Sequence, residues 1–247
     1  MKTRIANWLF LTVIMLFCAT ISFANKKPDQ KSLNVALLKS VEDGKTEEVR
    51  SLLQQGASIN AENEAGDKPI IIAAYVDESA YQYGPSHSLA LFKLLLSYRP
   101  NINVKNQMGV TALITAASTG SFEAVKLLVQ KGAQINDKDN ENETALMGAS
   151  YSQGEGEAYA SPEIVKYLLS HSADVNMKSK DGHTALIYVT KLSQYRKKDA
   201  MAIVRMLLAK GADVNVRTKN GNTALKWAKA NGLTAIVRVL VRAGATD

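Results

Sequence analysis

Few residues in this chain have types suited to bond-making chemistry. The histidines are His87, His171 and His183, far apart in sequence, and the one cysteine is Cys18. A general base, a metal centre or an activated nucleophile needs such groups in convergent sets. No His-Glu-x-x-His, Gly-x-Ser-x-Gly or phosphate-binding glycine loop occurs. Gly154-Glu155-Gly156-Glu157 offers two carboxylates in a glycine-rich stretch, too few for a cation cage. The expectation is no catalytic residue, no metal and no cofactor.

Recognition chemistry is better represented. Tyr75, Tyr81, Tyr83, Tyr151, Tyr159, Tyr188 and Tyr195 are seven of the nine tyrosines, and they gather in three short regions. Tyrosine gives a large contact area at low conformational cost and carries a polar tip. Two readings follow. The tyrosines form an aromatic ridge that binds a protein partner, or they pack on one another as a satellite core.

The elements that must hold these residues recur along the chain. Thr111-Ala112-Leu113 returns as Thr144-Ala145-Leu146, Thr184-Ala185-Leu186 and Thr223-Ala224-Leu225, with Lys68-Pro69-Ile70 as a weaker copy. A second mark is a leucine pair followed by Gly-Ala-x-Ile/Val-Asn; its leading leucines are Leu52, Leu95, Leu128, Leu168, Leu207 and Leu240. From each leading leucine to the next threonine position the spacing is constant, as in Leu128 to Thr144. From each threonine position to the next leucine it varies, so added residues fall near Tyr75–Ser88, Ser150–Ser161 and Thr190–Ala200. The compact unit Gly109–Asp137 predicts two helices. Thr111 precedes the small-residue run ALITAAS, Gly120 stops it, and Ser121 caps a second helix whose Phe122, Val125, Leu128 and Val129 share one face. Ser161-Pro162-Glu163 is a strong helix start. In the fifth unit the insert lengthens the first helix and Asp199 caps the second. Neither helix buries its apolar face alone, so stacked copies share one core.

These marks resemble the ankyrin repeat. "TALITAASTGSFEAVKLLVQKGAQIN", "LLAKGADVN" and "DGHTAL" match the family's Thr-Pro-Leu-His opening and its Leu-Leu-x-x-Gly-Ala-Asp-Val-Asn close. The resemblance implies an all-α ankyrin-repeat solenoid of six helix-turn-helix units joined by short turns or β-hairpins. Those units are 31–63, 64–106, 107–139, 140–180, 181–219 and 220–247. Departures are visible. The family histidine is replaced by Ile114, Met147, Ile187 and Lys226, so the hydrogen bonds it would give are absent. Arg99 and Ser172 stand where a helix-ending glycine is expected, so units two and four are expected to end differently. By the same resemblance, the turn tips and first helices form a concave binding face. The tips carry Met108, Glu141, Asp181 and Lys219, and their charge grades from acidic to basic along the stack. A graded surface orients a charged partner.

The first 24 residues read as a cleaved secretory signal: Lys2 and Arg4, an apolar run from Trp8 to Phe23, then Ser22-Phe23-Ala24. Residues 25–30 are a short lead and 31–247 the repeat domain. The apolar run is shorter than the roughly 20 residues a spanning helix needs, so no stable membrane insertion is expected after cleavage. Removal of Cys18 leaves a chain without disulfides or thiolate ligands. The net charge of +7 is uneven: Asn25 to Tyr195 holds 17 basic and 20 acidic residues, and Arg196 to Asp247 holds 11 and 3. Nucleic acid is not expected as a partner of an exported chain. The expected location is the periplasm, and the expected role is that of a monomeric, non-enzymatic protein-binding adaptor or regulator. The resemblance further implies either oxidative-stress defence or immunity against a secreted toxin.

Overall fold

The computed structural model describes residues 29–75, 84–151, 161–191 and 197–246. Twelve helices lie within them, and none of these residues is in a strand. They alternate as inner and outer members of successive pairs. The inner helices are α1 (Gln30–Glu42), α3 (Pro69–Tyr75), α5 (Ala112–Ser118), α7 (Ala145–Ser150), α9 (Ala185–Lys191) and α11 (Ala224–Ala230). The outer helices are α2 (Thr46–Gln54), α4 (Gly84–Ser97), α6 (Phe122–Gln130), α8 (Pro162–Ser170), α10 (Lys197–Ala209) and α12 (Thr234–Arg242). Inner helices pack on inner neighbours, outer on outer, and each pair on itself. This is the expected solenoid.

Each recurring residue has a local task. The threonine of Thr-Ala-Leu caps an inner helix. The Oγ1 atoms of Thr111, Thr144, Thr184 and Thr223 accept the backbone N–H three residues on, at 3.3, 3.3, 3.4 and 3.2 Å. That satisfies one of the orphan donors at a helix start. The following Ala-Leu pair enters the core: Ala112, Leu113, Ala145, Leu146, Ala185, Leu186, Ala224 and Leu225 are all at most 2% exposed. At the end of the outer helix, the N–H of Ala133 bonds the carbonyl of Leu128 at 3.0 Å, and Ala173 and Ala212 repeat the bond to Leu168 and Leu207 at 3.0 Å each. This closure places the residue before each alanine at positive φ, as in Gly132 at 89° and Gly211 at 81°.

The repeated asparagine clips one unit to the next. Asn136 donates its amide to the Ser172 carbonyl at 3.2 Å and accepts the Asp174 N–H at 2.9 Å. Asn103, Asn176 and Asn215 make the same two bonds to their own following units. At the opposite end of each connection the turn tips are linked through the backbone. Asn140 donates to the Met108 carbonyl at 2.8 Å, Lys180 to Glu141 at 2.7 Å, and Lys219 to Asp181 at 2.9 Å.

Three expectations need correction. Unit four does not end differently, and unit two does so only in part: Arg99 and Ser172 adopt φ of 52° and 66°, the left-handed geometry glycine takes elsewhere, but Pro100 has no N–H to make the closing bond that Ala173 makes. The stacked closure imposes it and the residues bear the strain. Ser121 stands at the N-cap of α6 but makes no capping bond; its hydroxyl lies 3.3 Å from the Thr119 hydroxyl instead. Asp199 is not a cap, because α10 already begins at Lys197 and runs 13 residues. The described added length in that unit is therefore in the outer helix, whereas α9 is only 7 residues long. By contrast Ser161 caps α8 as expected, with Pro162 at its first position.

Both ends carry polar outer faces. Lys39 and Glu42 are exposed on the first pair, and Lys226, Lys229, Arg238 and Arg242 on the last. No helix among the described residues is long and apolar enough to cross a membrane.

Candidate functional site

The inner helices and turn tips of the third to fifth units enclose a groove of about 710 Å³. Its rim is Met108 and the tip residues Asp139, Asn140 and Glu141. Its floor and walls include Ser118, Thr119, Glu143, Met147, Gly148, Tyr151 and Tyr188. The repeat register explains the shape. Ser118, Tyr151 and Lys191 each lie seven residues after a capping threonine. Gly148, Tyr188 and Trp227 each lie four after the next one. These two series meet along the inner row as Ser118 with Gly148, Tyr151 with Tyr188, and Lys191 with Trp227. The first meeting pairs two small side chains and leaves the hollow. The second pairs two rings and walls it.

The close approach at the hollow is tight. A Cβ on Gly148 would stand 2.2 Å from Ser118 Oγ. Across the groove Tyr188 is 6% exposed, and its hydroxyl donates to the Glu143 carboxylate of the preceding unit. Burial, reinforced by that carboxylate, pushes the Tyr188 phenol well above its ordinary range. The ring lies 5.1 Å from Tyr151 and stacks on His183, also at 5.1 Å. Lys191 Nζ lies 5.5 Å from each of the Tyr151, Tyr188 and Trp227 rings. Burial first, then the Lys191 charge, hold the His183 imidazole below its usual pKa, with Asp181 opposing.

Of the residues singled out from sequence, the structure brings Tyr151, Tyr188, Met108 and Glu141 to this groove. Met108 is 58% exposed. Glu141 pairs with Lys180 at 3.4 Å, and Asp181 with Lys219 at 3.7 Å, so these tip charges meet one another between units. Tyr75 ends α3. Tyr81, Tyr83, Tyr159 and Tyr195 lie outside the described residues. For Tyr151 and Tyr188 the contacts are those of packed rings between units, and both also line the groove. Sequence reading did not mark Glu143, Met147, Lys191 or Trp227 as site residues. Their signal was present as register: one residue before a capping threonine for Glu143, three after for Met147, seven after for Lys191, four after for Trp227. Among the described residues no three histidine or carboxylate side chains converge as metal ligands. His171 is occupied locally, its Nδ1 lying 2.8 Å from the Tyr167 carbonyl at the end of α8.

Fold and groove together define a helical repeat scaffold with a groove along its inner helices. The family "Ankyrin repeats (3 copies)" matches residues 78–179 and 157–247, and the chain belongs to it. An ankyrin repeat and SAM domain-containing protein of Rattus norvegicus is 37% identical over 105 residues, which are 42% of this chain and 11% of that protein. The chain thus spans only about a tenth of that relative's length. An ankyrin repeat domain from Acinetobacter baumannii superposes with a TM-score of 0.66 at 22% identity, covering 85% of this chain and 98% of that one. A chain from the complex of a predatory endopeptidase of Bdellovibrio bacteriovorus with an immunity protein gives a TM-score of 0.65 at 26% identity, covering 84% and 97%. Repeats of this family are protein-interaction modules, typically scaffolds rather than catalysts.

Proposed function

We propose that this chain is a non-enzymatic protein-binding scaffold that is exported and acts in the periplasm as an adaptor or regulator, with a role in oxidative-stress defence. The observation that carries the binding reading is the concave groove of units three to five. It combines exposed Met108, the tyrosine pair and an acidic rim on a face held by backbone and asparagine ladders. Rigid presentation of aromatic and methionine surface is how protein interfaces gain affinity at low ordering cost. The test is affinity capture from periplasmic extract with the full chain as bait, beside a Met108→Ala/Tyr151→Ala variant and one with the three inserts shortened to the compact spacing. Loss of a saturable partner in the first variant supports the concave face. Retention there with loss on shortening the inserts moves the site to the inserts. No saturable partner with any bait rejects the scaffold reading.

A second reading is an immunity protein that neutralises a secreted effector. It is favoured by the 26% identical neighbour, a chain of a complex between a predatory endopeptidase and an immunity protein. This reading requires one tight partner whose own activity is lost in the complex, and an activity assay on the captured protein decides it.

A further inference from the structure

We propose that the concave groove selects a cationic side chain, an arginine or lysine carried on an extended segment of the protein partner. The proposal rests on the protein-binding reading above and specifies what that face recognises.

Among the described residues, the lining contains Asp139, Glu141 and Glu143 and no lysine or arginine. This contrasts with a chain of net charge +7. Two of the three carboxylates are already oriented. One oxygen of Asp139 accepts the N–H groups of Glu141 and Glu143 at 2.8 Å each. One oxygen of Glu143 holds the Tyr188 hydroxyl. Both residues are half-buried, and among the described residues neither has a cationic partner. Each keeps its second oxygen for an incoming donor, with much of its rotamer entropy already lost. Fixed carboxylates of this kind suit a guanidinium, which brings several donors in one plane, and also an ammonium.

The walls fit the rest of such a side chain. Met108 and Met147 give polarizable apolar surface for an aliphatic stem, and Tyr151 adds ring surface beside it. Lys191 Nζ already stands 5.5 Å from the Tyr151 and Tyr188 rings, so the carboxylates rather than a ring face meet the incoming charge. Among the described residues, Lys180 pairs with a lining carboxylate and Lys191 lies over a lining ring. Lys180 is a rim group, half exposed and paired to Glu141, and Lys191 lies outside the lining. The described lining therefore keeps a net negative charge. The groove volume of about 710 Å³ falls in the roughly 300–1,000 Å³ range of ligand sites, room for one long side chain and its flanking backbone.

The test uses the full chain with its methionine methyl groups labelled for NMR. The probes are two five-residue peptides, acetyl-Gly-Leu-Arg-Leu-Gly-amide and the same peptide with citrulline for arginine, which keeps shape and removes charge. The arginine peptide is expected to shift the Met108 and Met147 methyl signals saturably. The citrulline peptide is expected to bind about tenfold more weakly, the loss of one charge-assisted contact. Glu143→Gln, which keeps an acceptor for Tyr188, and Glu141→Gln, which is exposed and structurally undemanding, are each expected to erase most of that preference. Equal shifts with both peptides, shifts confined to other methionines, or no shift with either overturn the proposal. A partner captured equally well by the Glu141→Gln/Glu143→Gln chain but lost with Met108→Ala/Tyr151→Ala overturns the cation subsite and leaves the protein-binding reading standing. A chain that captures nothing removes both.

Discussion

At the scale of single residues, the repeat shows where geometry outranks residue preference. Ser172 and Arg99 sit at positive φ in the turns that the preceding unit's asparagine reaches: Asn136 donates to the Ser172 carbonyl, and Asn60 accepts the Asn101 N–H. An L-residue pays about 1–2 kcal/mol for that backbone. Ser172→Gly and Arg99→Gly are therefore expected to raise stability by about 1 kcal/mol each in denaturant unfolding. Gly132→Ala and Gly211→Ala are expected to lower it similarly, because a Cβ at either position meets nothing within 4 Å and only the backbone cost remains. Gains at the glycines or losses at Ser172 would refute the account. His183 gives a second residue-scale prediction. Its folded pKa lies below the ordinary 6.5, so the unfolded chain binds the proton first as pH falls. Its contribution is fully present above that ordinary value and is lost on acidification below it. Urea midpoints should therefore fall between pH 7.5 and pH 5, and His183→Gln should flatten part of that slope. An unchanged slope would mean that His183 is not the responsible group.

At the scale of elements, the contact between α5 and α7 shapes the groove. Alanine in place of a helical glycine ordinarily gains up to about 1 kcal/mol from helix propensity. At Gly148 the new Cβ would meet Ser118 Oγ at 2.2 Å and Ser118 Cβ at 3.3 Å. Overpacking of this kind costs about 1–3 kcal/mol, so Gly148→Ala is expected to destabilise. On a Ser118→Ala background the closest atom is gone, and the same change is expected to become neutral or favourable. A double-mutant cycle in thermal unfolding measures the difference; equal costs on both backgrounds would show that the helices move apart instead. Capping threonines, helix-ending glycines and ladder asparagines were legible in sequence because each acts within a few residues of itself or at a fixed repeat distance. Ser121 and Asp199 were misread because a cap depends on where the helix starts and on which bond the hydroxyl already makes. The groove was only partly legible. Met108, Glu141, Tyr151 and Tyr188 stood out by type, while the pairing of Ser118 with Gly148 depends on how two helices approach across units, which spacing alone does not state.

At the scale of the whole molecule, every strongly packed pair of helices lies within one unit or between neighbours. Stability is then a sum of unit terms and nearest-neighbour interfaces. An internal unit is held on both sides and a terminal unit on one, so the cost of a lesion depends on where along the stack it falls. Leu225 in α11 and Leu113 in α5 are equally buried, at 2% exposure, and share the position two residues after a capping threonine. Either leucine replaced by alanine removes about 2–5 kcal/mol of core packing. In α11 that loss is expected to open only the last pair. Native-state hydrogen exchange should show reduced protection in α11 and α12, with protection in α5 and α6 retained, because fraying an end sacrifices one interface. In α5 the same loss severs the stack at its middle, since opening that unit sacrifices two interfaces and isolates the groove's walls. Leu113→Ala is thus expected to lower protection in α3, α5, α7 and their outer partners together, and to weaken any partner held by the groove. Leu225→Ala should leave that binding nearly unchanged. Uniform loss of protection along the whole chain in both variants would instead mean a single cooperative unit, in which position along the stack has no bearing on the cost.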